Sequence, residues 1–271
     1  MTDEIDFERR FGGVRRLHGG IGLGKLQAAH VCVIGIGGVG SWAAEALARN
    51  AVGTITLVDL DNIAESNVNR QIHALGDEFG KAKVTAMAQR IHAINPFATV
   101  HEIEDFVTAE NVDKLLNRGF DVVLDAIDDV KAKLAIVAYC RANKLPLIVT
   151  GGAGGRLDAT KIKVADLAFV QGDKLLAKVR NQLRRDFNFP KATNTKKSAK
   201  FGILAVYSDE IVRKPDALEG NIHAVSGDAC FRENNSIAGL NCAGYGSSVC
   251  VTAPFGFIAA GLAINVMINN D

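Results

Sequence analysis

Cysteine is scarce and unpaired in this chain of 271 residues: Cys32, Cys140, Cys230, Cys242 and Cys250 form an odd set without a C-x-x-C pair. That pattern argues against a disulfide framework and against a four-cysteine zinc centre, and it fits a reducing, cytoplasmic setting. Six histidines, at positions 18, 30, 73, 92, 101 and 223, show no metal-ligand spacing. The start, Met1-Thr2-Asp3-Glu4, is acidic and lacks the basic head and apolar centre of a signal peptide. There is no internal repeat. Neither sign of charge dominates, with 31 Lys/Arg against 30 Asp/Glu and a net charge of +1. Charged residues make up 23% and hydrophobic residues 48%, a balance that supports a sizeable core and disfavours wholesale disorder. The length permits one large domain or one domain with a lobe.

Two stretches depart from this average. Residues 171–200 hold nine Lys/Arg against Asp173 and Asp186, a local charge of +7 that suits a polyanion. Residues 249–268 carry no charge and are long enough to span a bilayer. Pro254, Gly256, Gly261 and Asn265 interrupt them, and no Lys/Arg cluster flanks them. A buried C-terminal helix is the preferred reading, and membrane association the alternative.

The strongest motif follows the apolar run Val31-Cys32-Val33-Ile34. Gly35-Ile36-Gly37-Gly38-Val39-Gly40 opens a helical pattern, and a second apolar run, Thr54–Val58, ends in Asp59. Strand, glycine turn, helix and acid-terminated strand make a nucleotide-binding unit. Gly35, Gly37, Gly38 and Gly40 let backbone approach a phosphate, the helix N-terminus attracts negative charge, and Asp59 can accept from ribose hydroxyls. The fingerprint alone does not separate NAD from ATP. Asp61, Asn67, Arg70, Lys81 and Lys83 follow Asp59 closely, a polar series better suited to a triphosphate. Arg70 offers a planar guanidinium that can grip two phosphate oxygens. Lys83, at the start of the next helix, offers a compact charge; an idle, solvated lysine is the plainer alternative.

Strand patterns near 30–35, 54–59, 98–103, 120–125 and 145–150 alternate with helical patterns near 39–50, 81–94, 108–117 and 129–143. The alternation predicts an α/β, Rossmann-like, doubly wound and mainly parallel sheet, with a C-terminal extension containing further strands and helices. Residues 1–27 read as an N-terminal arm with a short helix, and residues 28–155 as the ATP-binding core. Residues 156–271 form the C-terminal part of the same domain, with the basic segment 171–200 and the apolar helix 249–268. Within it, Ile162 and Val164 suggest a strand, 173–187 an amphipathic helix, 188–200 a mobile basic loop and 203–207 another strand. A second glycine-rich loop, Gly151–Gly155, follows Thr150.

Asp125 and Asp128 stand at the end of a strand, where ligands of open α/β sheets sit. Asp128 can hold Mg²⁺ through a hard oxygen or cap the helix that follows; position leaves both open. Cys32 and Cys140 read as core thiols. Cys242 lies in a glycine loop and is a candidate nucleophile without a visible activating partner. His73, just past Arg70-Gln71, is the histidine to test first.

Gly35–Gly40, Asp59-Leu60-Asp61, Ser66–Gln71, Lys83 and Leu124–Asp128 together resemble the E1-like adenylyltransferases of the ThiF/MoeB superfamily, which activate carboxylates with ATP. The resemblance implies that Asp59 binds the ribose, that Asn67, Arg70 and Lys83 bind the phosphates, and that Asp128 holds Mg²⁺. It also implies a homodimer in which an N-terminal arginine, Arg10 or Arg16, reaches the partner subunit's triphosphate, although Arg10-Phe11-Gly12-Gly13 departs from the usual arm. The missing C-x-x-C pairs separate the chain from the sulfur-carrier-activating members. Arg10–Gly13, Gly37–Arg49, Asn69–Leu75 and Thr150–Gly155 look like the subgroup that dehydrates threonylcarbamoyl-adenosine at position 37 of tRNA. The implied reaction adenylates the threonine carboxylate and closes a ring with loss of AMP. In that reading Lys178, Arg184, Arg185, Lys196 and Lys197 are candidates for tRNA contact. The sequence leaves open a sulfur-transfer protein partner and a monovalent cation. Rival readings are an adenylyltransferase acting on a ubiquitin-like sulfur carrier, a nicotinamide-dependent oxidoreductase, and a non-catalytic RNA-binding or scaffold protein.

Overall fold

The computed structural model describes residues 5–191, 199–213 and 245–269. Cys230, Cys242, Lys196 and Lys197 lie outside the described residues. Seven strands, β1 (His30–Ile34), β2 (Thr54–Val58), β3 (Thr99–Ile103), β4 (Val122–Asp125), β5 (Leu147–Thr150), β6 (Ile162–Asp166) and β7 (Leu204–Ser208), form one sheet. Their order is β3-β2-β1-β4-β5-β7-β6, parallel except for β6, which runs antiparallel to β7. The helices are α1 (Phe7–Ala28), α2 (Gly40–Arg49), α3 (Lys83–Ile94), α4 (Val112–Leu116), α5 (Val130–Ala142), α6 (Lys174–Asp186) and α7 (Val249–Asn269).

Successive residues of the central strands feed opposite layers, as the period of two requires. Val31 and Val33 pack with α2, α3 and α7, whereas Cys32 and Ile34 pack with α4, α5 and α6. Both faces are covered, so β1, β4 and β5 are continuous apolar runs without alternation. Register then sets the site. Ile34 lies opposite both Val58 and Asp125, and Asp125 opposite Val149. The loops after β1, β2, β4 and β5 therefore leave the sheet at one edge. The chain reverses its winding direction between β1 and β4, the switch point where such sheets bind ligands.

The apolar C-terminal segment is a core helix in its packing. Phe255, Ala259, Ala263 and Met267 of α7 are buried at a four-residue interval. A Cβ on Gly256 would stand 2.4 Å from the Val39 carbonyl, so α7 lies directly on the start of α2. It is the one helix among the described residues long and apolar enough to cross a membrane, and half of its apolar window is buried within the fold. The N-terminal segment differs from the short helix expected: α1 has 22 residues, kinked where Gly19 takes a positive φ of 73°, and it buries Phe11, Leu23 and Leu26. Glycines between those anchors hide the helical period in sequence.

Candidate active site

Four glycines of the first loop are placed in four different ways. Gly35 takes φ +86°, and a Cβ there would stand 3.0 Å from the Ala126 backbone. At Gly40 a Cβ would lie 1.8 Å from the Gly35 carbonyl oxygen, so only glycine lets α2 close onto the loop. Gly38 leaves room for the Arg70 side chain, whose Cγ would be 3.1 Å from an added Cβ. Gly37 faces the most open space of the four, with nothing nearer than 3.9 Å. No side chain caps α2 at Val39, so the positive end of its dipole is open to an anion, although Ser41 N already donates to the Gly37 carbonyl at 3.1 Å.

Asp59 ties this loop to the next. Its Oδ2 accepts from Ile36 N at 2.6 Å and its Oδ1 from Asp61 N at 2.9 Å. Burial pushes its carboxyl above the ordinary value, with Lys83 and the two backbone bonds acting against the rise. Lys83 is buried, with Nζ 2.6 Å from Asp61 Oδ2 and 3.8 Å from Asp59 Oδ1. The two acids hold the ammonium at the same sheet edge as the glycine loop.

The loop after β2 is fixed chiefly through its backbone. Asn67 accepts from Ala64 N through Oδ1 at 3.0 Å, which closes a short 3₁₀ turn and leaves its amide nitrogen as the group to offer a phosphate. Trp42 Nε1 donates to the Arg70 carbonyl at 2.9 Å, and Asn69 is tied to the start of α7 through Ser247 and Val249. Arg70 Nη1 donates to Ser66 O at 2.7 Å and Asn69 Oδ1 at 2.9 Å. Its aliphatic stem thus lies over Gly38, and its guanidinium is held by Ser66 and Asn69.

The two aspartates at the end of β4 diverge. Asp125 is fully buried and its Oδ1 is 3.0 Å from Lys133 Nζ, itself fully buried; burial pushes the Asp125 carboxyl up while Lys133 pulls it down. That carboxylate is committed to the interior. The helix cap expected as one role for Asp128 belongs to its neighbour: Asp129 accepts from Ala132 N at 2.7 Å and caps α5. Asp128 is left half-buried at the switch point with its carboxylate uncommitted to the cap. Among the described residues no three His, Cys, Asp or Glu side chains cluster as a metal cage.

Other candidates are placed differently from the sequence expectation. Arg10 donates through Nη1 to the carbonyls of Ala93 and Ile94, at 3.1 and 2.8 Å, closing the C-terminal end of α3 within its own chain. Arg16 is exposed on α1. His73 is 2% exposed with neither ring nitrogen partnered, and burial, with Lys83 and Arg90 nearby, lowers its pKa to about 4. It is a buried, neutral ring just past the Arg70 loop. Arg184 donates to the carbonyls of Pro190 and Ala168 and stands over the Phe201 ring, so it secures the fold. Arg185 pairs with Asp186, bidentate at 2.7 and 2.8 Å, whereas Lys178 is exposed. The basic face of α6 is therefore thinner than the charge count suggests. Cys32 and Cys140 are buried, and burial raises both thiols, Cys140 to about 12, so neither is a nucleophile.

Sequence reasoning passed over two buried ion pairs next to this edge, Lys133–Asp125 and Arg156–Asp173. The second joins the end of the Gly151–Gly155 loop to the start of α6 at 3.0 Å. A charged residue directly after a glycine run, and an aspartate at a helix start, were the available signals.

Known proteins resemble this chain over nearly its whole length. The ThiF family profile matches residues 13–269. The chain is 47% identical over 262 residues to the tRNA threonylcarbamoyladenosine dehydratase of Escherichia coli, covering 96% of this chain and 94% of that protein. It is 46% identical over 264 residues to the protein of the same name from Haemophilus influenzae, covering 97% and 95%. The crystal structure of the E. coli tRNA N6-threonylcarbamoyladenosine dehydratase in complex with ATP superposes with a TM-score of 0.83 at 43% identity, covering 98% of this chain and 97% of that one.

Proposed function

Because the chain belongs to the ThiF family, we propose that it is an ATP-dependent dehydratase of threonylcarbamoyl-adenosine at position 37 of tRNA. The observation that carries this reading is the convergence of the Gly35–Gly40 loop, Asp59, Arg70, Lys83 and Asp128 on one sheet edge, in a chain similar over nearly its whole length to two tRNA threonylcarbamoyladenosine dehydratases. ATP lies with its ribose at Asp59 and its phosphates at the open face of Gly37, the α2 N-terminus, Arg70 and Lys83. Asn67 donates its amide to the same phosphates, and Asp61 releases Lys83 toward them.

The threonine carboxylate attacks the α-phosphorus, the bond to the bridging oxygen breaks and pyrophosphate departs. Arg70 and Lys83 stabilise the charge that gathers on the leaving group. AMP then leaves as a nucleophile on the same side chain closes a ring onto the activated carbonyl. Tethering makes that step unimolecular, an advantage of roughly 7–11 kcal/mol in favourable systems. No enzyme thiol is required. Asp128 fits Mg²⁺, since it offers a hard oxygen that the helix cap does not use and a single carboxylate suffices when triphosphate and water complete the shell. The ion would neutralise charge on the triphosphate. The N-terminal arginine that would reach the triphosphate of a partner subunit in a homodimer is Arg16, which stands exposed, and not Arg10, which caps α3.

Pyrophosphate release measured with modified tRNA, and separately with a Gly-Gly-ending sulfur carrier, tests the reading. Release driven by the tRNA is expected. Release driven by the protein carrier and not by tRNA would transfer the chain to the sulfur-carrier-activating branch.

A further inference from the structure

The loop after β5 is fastened by an ion pair that the adenylation chemistry does not use. Arg156 and Asp173 are each 2% exposed. Arg156 Nη2 stands 3.0 Å from Asp173 Oδ2, and the same oxygen accepts from Gly152 N at 3.0 Å. The other oxygen, Oδ1, accepts from Leu176 N at 2.9 Å and caps α6. Arg156 Nη1 donates to the Ser208 carbonyl at the end of β7. Gly151 fits only because it has no side chain: a Cβ would lie 2.4 Å from Asp173 Oδ2. One carboxylate thus holds the loop at the ligand-binding edge of the sheet and the first turn of the basic helix.

A buried ion pair gives little net stability over apolar residues of equal volume; this one ties Gly152 N, Leu176 N and the Ser208 carbonyl together. The fork of an arginine sets direction as well as distance. The pair borders the loop next to the switch point and touches none of the groups assigned to ATP. Resting on the tRNA-dehydratase reading, we propose that Asp173 and Arg156 are positioning residues for turnover on tRNA. They set the Gly151–Gly155 loop against α6, so that the adenosine side chain delivered by tRNA meets the α-phosphate in line. Their effect falls on kcat, because ATP and tRNA are each held by other groups.

The test uses the full chain carrying Arg156→Gln with Asp173→Asn, which removes both charges together and keeps a residue able to cap α6. Gly151→Ala, which keeps both charges but sets a Cβ against Asp173 Oδ2 and so forces the loop and the carboxylate apart, is the second variant. Melting temperature, ATP affinity by calorimetry, kcat and KM for tRNA by nucleoside mass spectrometry, and amide hydrogen exchange are measured for each. A misplacement of about 1 Å can lower a rate on the order of a hundredfold, so a kcat loss of roughly tenfold or more is expected, with tRNA KM and ATP affinity within about threefold and faster exchange at Gly152. An unchanged kcat overturns the proposal. So does a kcat loss matched by equal losses of ATP affinity and melting temperature, which is the signature of a purely structural pair. If the double variant does not fold, Gly151→Ala decides by the same split. Wild-type protein that leaves the modified nucleoside intact would refute the functional reading; unchanged exchange at Gly152 would separately refute the clamp.

Discussion

Replacing Lys133 by Met isolates the interior charge that supports the Asp128 loop. Lys133 and Asp125 are both fully buried and 3.0 Å apart, with Asp125 Oδ2 unpartnered. Met fills a similar volume, so the change removes charge without opening a large cavity. Asp125 keeps one backbone donor, Ile127 N at 3.0 Å. Breaking one side of such a pair costs about 3–5 kcal/mol, since a carboxylate is left buried without its counter-ion. For a chain of this size that is a fall of roughly 6–20 °C in melting temperature. The pH dependence has a definite sign. Burial already holds the Asp125 carboxyl above its ordinary value, and loss of Lys133 raises it further. The folded variant then binds the Asp125 proton more tightly than the unfolded chain. Its stability is fully present in acid, below the ordinary carboxylate pKa, and is lost as pH rises through the raised one. The deficit relative to wild type therefore shrinks as pH is lowered. Asp125→Asn added to Lys133→Met should recover most of the loss at neutral pH, since Asn can still accept from Ile127 N. Chemical denaturation between pH 4 and pH 8 is the assay. A neutral-pH deficit below about 1 kcal/mol, or one that grows toward acid, would refute the reasoning.

Other changes address the site itself. Arg70→Ala should lower pyrophosphate release about a hundredfold or more while the melting temperature changes little, because the Arg70 carbonyl stays anchored by Trp42; undiminished release would remove Arg70 from phosphate binding. Gly40→Ala, with its Cβ placed 1.8 Å from the Gly35 carbonyl, should abolish ATP binding in calorimetry, and normal affinity would contradict the packing described. Lys178→Ala should reduce the salt slope of tRNA affinity by about one, whereas Arg184→Ala should lower stability and leave that slope alone; the reverse result would exchange their roles. His73, with its pKa lowered to about 4 from 6.5, withholds a proton that the unfolded chain takes up. Wild-type stability should therefore fall through that window on acidification, by up to about 3 kcal/mol, and His73→Gln should flatten the curve; parallel curves would disprove the account.

The α/β architecture was legible because its signals are local. Val31–Ile34 and Val122–Leu124 are continuous apolar runs that fit a doubly covered sheet, and Asp59, Asn67, Arg70 and Lys83 sit between the end of β2 and the start of α3, which one sheet edge gathers. Contacts made over long stretches of chain were not legible. Arg10 reaches carbonyls 83 and 84 residues away, and nothing in its own sequence marks it as a helix cap. Arg184 counts as a cation in sequence, yet its guanidinium is occupied by two carbonyls and an aromatic ring. The capping role weighed for Asp128 fell one residue later, on Asp129, a distinction set by where the first turn of α5 begins. The glycines of α1 and the uniform hydrophobicity of α7 hid which faces those helices bury.

The central claim is that ATP activates a carboxylate on a modified adenosine of tRNA, so that the nucleoside loses water. Purified protein incubated with ATP, magnesium and tRNA carrying threonylcarbamoyl-adenosine, followed by nucleoside mass spectrometry, reads this directly. The expected product is lighter by one water and forms only with ATP present. An unchanged nucleoside mass, in a sample shown by calorimetry to bind ATP, would contradict the claim.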